Sequence, residues 1–69
     1  MKVTFMDGHG EEVLYTNVAS QEEGFKLIFD HMTSRGLNKS QYFRYWRDEE
    51  RKAVQCDIGS WSSFYFVYD

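Results

Sequence analysis

The chain has 69 residues, a formal charge of −3 and 28% charged residues, enough for one domain over residues 1–69 and too little for a deep substrate pocket. The acidic balance excludes general duplex binding, which draws on a surplus of basic residues to displace counterions. A lone cysteine, Cys56, excludes an intrachain disulfide, and no apolar run approaches the ~18–20 residues of a membrane-spanning helix.

Aliphatic side chains are scarce, with three Leu, two Ile and five Val against two Trp, five Tyr and six Phe. Each aromatic can bury about 150–250 Å², so the core is expected to be largely aromatic. Met1-Lys2 leads directly into an alternating segment, so no secretory signal is expected, and a reducing, cytoplasmic location is.

In chain order, Lys2 to Met6 alternates with Val3 and Phe5 on one side, as a strand does. Asp7-Gly8-His9-Gly10 has the glycines of a tight reversal, and Glu11 to Thr16 reads as the returning strand. Ser20-Gln21-Glu22-Glu23 is a capping box. The Ser20 hydroxyl is expected to accept from the Glu23 amide, and the Glu23 carboxylate from the Ser20 amide. Phe25, Ile28, Phe29 and Met32 form an apolar stripe, and Gly36 supplies a stop, so the helix is expected from Gln21 to Arg35.

A polar link over Leu37 to Ser40 precedes three strands at Gln41–Arg47, Lys52–Cys56 and Ser63–Tyr68. A two-residue turn at Glu49-Glu50 sets Tyr45 opposite Val54 and Phe43 opposite Cys56. A three-residue loop at Gly59-Ser60-Trp61 sets Cys56 opposite Phe64 and Val54 opposite Phe66. The expected fold is α+β, a five-stranded antiparallel sheet in the order ββαβββ with one helix packed on one face. That register puts Phe43, Tyr45, Val54, Cys56, Phe64 and Phe66 under the helix.

One helix covers one face. The other is expected to carry Tyr42, Arg44, Trp46, Ala53, Gln55, Tyr65 and Val67. Trp46, Ala53 and Val67 would form one cross-strand row, and Arg44, Gln55 and Tyr65 the next. Aromatics with arginine are enriched at protein–protein hot spots, which makes Tyr42, Arg44, Trp46, Gln55 and Tyr65 the candidate binding residues for a partner or a second copy. The same side chains can instead stabilise a small sheet by cross-strand pairing, or stack the bases of single-stranded nucleic acid. The acids at Glu11-Glu12, Glu22-Glu23 and Asp48-Glu49-Glu50 are interrupted by bases. They read as solvated surface rather than nucleic-acid mimicry.

Asp7, His9 and His31 lack the number and spacing of a metal set, and no cofactor motif is present. Cys56 with either histidine would suit a nucleophile–base pair, but its strand position reads as core, and no catalytic activity is expected. The pattern Tyr42-Phe43-Arg44-Tyr45-Trp46 followed by Asp57-Ile58-Gly59-Ser60-Trp61-Ser62-Ser63-Phe64-Tyr65, with the opening Val3-Thr4-Phe5-Met6-Asp7-Gly8, resembles that of small proteins of Gram-positive bacteria and their phages. It covers most of the chain. The resemblance implies an accessory role, binding and modulating a host or phage protein, and carries no functional residues across.

Overall fold

The computed structural model describes residues 1–36, 42–60 and 62–69. The expected link Leu37–Ser40, Gln41 and the loop residue Trp61 lie outside the described residues. The strands are β1 (Lys2–Asp7), β2 (Gly10–Tyr15), β3 (Arg44–Asp48), β4 (Ala53–Asp57) and β5 (Phe64–Tyr68), with one helix, α1 (Gln21–Ser34), between β2 and β3. They form one antiparallel sheet in the order β2-β1-β5-β4-β3, the α+β architecture expected from the sequence.

The β1–β2 hairpin closes at Asp7 opposite Gly10. Asp7 Oδ1 accepts from the His9 amide at 2.8 Å, and Gly10 takes φ +129°, a conformation that favours glycine. The N-cap of α1 forms as expected on one side, with Ser20 Oγ accepting from the Glu23 amide at 3.1 Å. The Glu23 carboxylate, however, accepts from the Ala19 amide at 2.9 Å and not from that of Ser20. It reaches one residue further out and still satisfies an amide before the first turn. Arg35 is the C-cap, and Gly36 follows at φ +68°.

The helix faces the sheet with Gly24, Ile28 and Met32, while Phe29 points largely outward. A Cβ on Gly24 would meet Val67 Cγ1 at 3.1 Å and Val3 Cγ2 at 3.5 Å. Absence of a side chain there lets α1 settle onto β1 and β5, so the buried stripe is rotated from the expected Phe25–Phe29 line.

Two registers differ from expectation, with different consequences. Between β3 and β4 the turn is 49–52, so Tyr45 pairs with Cys56 and Arg47 with Val54. Asp48 Oδ1 fixes it by accepting from the amides of Glu50 and Arg51, and Lys52 adopts φ +56°. The slip is two residues, so every β3 and β4 side chain keeps its expected face.

Between β4 and β5 the slip is one residue. Cys56 pairs with Tyr65 and Gln55 with Phe66. Tyr65 and Val67 therefore face α1, while Phe64 and Phe66 face the other way, opposite to expectation. Two things favour this arrangement. The Tyr65 hydroxyl, in a residue with no exposed surface, meets His31 Nδ1 at 2.7 Å, and Phe66 gains a cover from Arg51 on the far side. The connection 58–63 also buries Ile58 in the core and turns at Gly59 (φ +82°), whose amide donates to Asp57 Oδ1 at 2.9 Å.

Candidate interaction surface

The sheet face away from α1 divides into two halves. Over β2, β1 and β5 it is closed by a polar clasp. Glu11 accepts from Thr4 Oγ1 at 2.6 Å, from the Tyr68 hydroxyl, and from Arg51 Nη1 at 3.0 Å. Arg51 Nη1 also meets the Tyr68 hydroxyl at 2.7 Å, and the guanidinium lies 4.2 Å above the Phe66 ring. A cation held flat on an aromatic ring and bonded to a carboxylate is well placed to exclude water, and Phe66 is only 1% exposed beneath it. Burial alone would raise the Glu11 pKa, but the bonds from Thr4, Tyr68 and Arg51 outweigh it and hold the carboxylate below its ordinary value.

Over β3 the same face is open. Arg44 stands between two rings, 5.6 Å from the centre of Tyr42 and 5.9 Å from that of Trp46, and pairs with Asp57 at 3.3 Å. Trp46 pairs with Gln55, which pairs with Phe66; Arg44 pairs with Asp57, which pairs with Phe64. These rows replace the expected Trp46-Ala53-Val67 and Arg44-Gln55-Tyr65.

Of the five candidate binding residues, Tyr42, Arg44, Trp46 and Gln55 share this region. Tyr65 does not: it lies fully buried under α1, because the one-residue slip turns β5 over. Its ring packs on Phe5 at 4.9 Å, and burial pushes its hydroxyl up to about 12, so it donates to His31. Burial, with Arg35 nearby, also lowers the His31 pKa, which favours the neutral, accepting ring.

The helix side of β3 adds residues not counted as a site in the sequence. Phe43 and Tyr45 pack with Phe25 and Phe29 at ring distances of 4.8–5.3 Å, in tilted or edge contacts. Tyr45 stays 55% exposed and Phe29 41%, so the aromatic surface wraps around the strand from both faces. Tyr45 alternates to the helix side, which by pattern alone places it in the core. The α1 backbone approaches β1 and β5, and β3 extends beyond its cover.

Cys56 is fully buried, its thiol pushed up to about 12 by burial and directed at the Val54 carbonyl at 3.9 Å. It is a core thiol, as the alternation of its strand implied. Phe64, expected opposite it, instead pairs with Asp57 on the open face. Among the described residues no group of three or more His, Cys, Asp or Glu side chains is placed to hold a metal ion, and no helix is long and apolar enough to cross a membrane. Compared with protein-family models, curated proteins and solved structures, the chain matches none.

Proposed function

We propose that this chain is a small, non-enzymatic, cytoplasmic protein-interaction module whose docking surface is the β3 edge around Tyr42, Arg44, Tyr45 and Trp46. One observation carries the reading: β3 ends the sheet, and Arg44, Tyr45, Trp46 and Arg47 are all exposed along it. Exposed Trp and Tyr beside Arg are the residue types that anchor protein interfaces, and an edge strand adds main-chain groups for pairing. The resemblance to small Gram-positive and phage proteins suggests the setting, an accessory protein of a phage or prophage that binds and modulates a host or phage protein.

The single-strand nucleic-acid reading draws less support. Its platform needs Tyr65, which is in the core, while Phe66 lies beneath Arg51 and this sheet face carries the Asp57 carboxylate beside Arg44 and the Glu11 carboxylate in the clasp.

Photo-crosslinking tests the proposal in the cells that produce the protein. A photoreactive residue at position 46 should trap a protein, and one at position 13 should not, although Val13 is 52% exposed on β2 at the opposite edge. Equal trapping at both positions, or none at 46, contradicts it.

A further inference from the structure

We propose that the occupant of the β3 edge is a second copy of this chain, its β3 paired antiparallel with the first about a two-fold axis at Trp46, so that one sheet runs through both copies. The inference rests on the reading of β3 as the docking strand and names its partner.

The edge is built to pair. Its ladder with β4 runs in uninterrupted register from Arg44 opposite Asp57 to Asp48 opposite Ala53. It contains no proline or bulge, and its charges, Arg44, Arg47 and Asp48, are of both signs, so an antiparallel partner can pair them instead of being repelled. Among the described residues no strand lies beside its outer side.

Self-complementarity selects the partner. Residues 42–50 read aromatic and basic first (Tyr42, Phe43, Arg44, Tyr45, Trp46, Arg47), then acidic (Asp48, Glu49, Glu50). Antiparallel pairing lays the basic end of one copy against the acidic end of the other. Directly opposed residues share a sheet face, so a two-fold axis normal to the sheet must pass through a residue.

Centred on Trp46, the pairing sets Arg44 opposite Asp48 of the second copy, twice by symmetry. It also sets Trp46 opposite its own equivalent, and Tyr45 opposite Arg47 of the second copy, whose guanidinium stays bound to Asp69 of its own chain by two hydrogen bonds. Opposite charges and aromatic pairs directly across an antiparallel ladder are favourable. Centring on Arg47 would oppose two guanidinium groups, which is unfavourable, and centring on Tyr45 would leave Arg44 without an acid opposite. Asp48 has capacity for the new bond. Its Oδ1 serves the turn amides, while its Oδ2 stands 3.7 Å from Arg51 Nε, beyond a hydrogen bond.

The other edge closes the assembly. The β1–β2 ladder shifts register there, with β2 stepping from Tyr15 opposite Val3 to Val13 opposite Thr4. β2 also carries the carboxylates Glu11 and Glu12, so growth stops at two copies.

The test uses the purified full chain. Sedimentation equilibrium should show a concentration-dependent monomer–dimer equilibrium, and Arg44→Glu should weaken the dimer at least tenfold. Arg44→Glu also faces Asp57 across the β3–β4 ladder, so Arg44→Gln, which removes the charge without opposing that carboxylate, is the paired variant. It should weaken the dimer as well, while its dilute melt stays close to that of the wild type. Trp46→Cys supplies the register, read at protein concentrations raised to offset the loss of the central ring. Paired Cα atoms about 4.5–5.5 Å apart lie within disulfide reach. Mild oxidation should therefore link Trp46→Cys dimers much faster than Arg47→Cys dimers, and the buried Cys56 takes no part.

Equal linking at 46 and 47, or an Arg44→Glu dimer as tight as wild type, overturns the pairing. A chain that stays monomeric to millimolar concentration also overturns it. If position 46 still traps a different protein in cells, β3 remains the docking strand with another partner; if it traps nothing, both readings fall.

Discussion

The two edges of this sheet are made of the same kind of backbone and end in opposite states. At β2, three elements converge: Glu11 from the edge strand, Tyr68 from β5 and Arg51 from the β3–β4 turn. The edge is acidic, irregular in register, and tied inward. At β3 the ladder is regular, the side chains are aromatic and basic, and most of them face solvent, with Arg47 tied to Asp69 and Arg44, Tyr45 and Trp46 left more open. An edge is thus defined less by its position than by where its side chains are already committed. Arg51 is spent on the closed half, covering Phe66, while Arg44 is held loosely between Tyr42 and Trp46.

Breaking the clasp should have the largest effect. Arg51→Ala removes the cover of Phe66 and the bond to Glu11. Partly exposed charges contribute little on their own, so the expected loss of about 2 kcal/mol comes mainly from the lost packing over Phe66, with Glu11 keeping its bonds from Thr4 and Tyr68. In a domain of this size that lowers the melting temperature by about 10 °C, measurable by circular dichroism at low protein concentration.

The matching change at the open edge should divide the two properties. Trp46→Lys is expected to weaken association by about 2 kcal/mol, as loss of a hot spot does, yet shift dilute-monomer stability by no more than about 0.5 kcal/mol. Denaturant titration beside sedimentation resolves the two. A variant that melts early but associates normally would make Trp46 a purely structural residue.

Acid should act on the closed edge in particular. The folded Glu11 pKa lies below its ordinary value, so its contribution is present above that ordinary value and is lost as pH falls through the folded pKa. Wild-type stability should therefore drop below about pH 4.5, and Glu11→Gln should flatten that drop while being less stable at neutral pH.

A smaller step belongs to the core between the edges. His31 has a folded pKa below its unfolded value, so the stability it gives is present above about pH 6.5 and fades as pH falls and the ring is protonated. Protonation takes away the acceptor at Nδ1 for the Tyr65 hydroxyl. Melts between pH 7.5 and 5.5 should show a slope that His31→Gln removes.

Much of this was legible in the sequence, for identifiable reasons. The Ser20 cap, the hairpin glycine and the alternation in β1, β3 and β4 each carry a local chemical marker. The faces of β3 and β4 follow from alternation whichever turn is used, because the observed turn differs from the expected one by an even number of residues. β5 carries no such marker. Phe64-Tyr65-Phe66-Val67-Tyr68 is apolar throughout, as a central strand buried on both faces can be, and a loop length alone cannot tell Tyr65 from Phe66. The pattern therefore places Tyr65 on the surface and Phe66 on the helix side, the reverse of the structure. Both depend on distant partners, His31 and Arg51, that no local pattern announces. The same holds for the clasp, in which Glu11 and Arg51 are forty positions apart in sequence. Gly24 is silent in the sequence because a glycine inside a helix reads as a weakness until the strand it approaches is known.

Native-state amide hydrogen exchange, read at low and high protein concentration, addresses the contrast between the edges most directly. Concentration-dependent protection should appear on the outward amides of Arg44–Asp48 and nowhere along Gly10–Tyr15, and Trp46→Lys should abolish it. Protection that rises equally at both edges, or β3 amides that exchange at one rate at every concentration, would contradict the account.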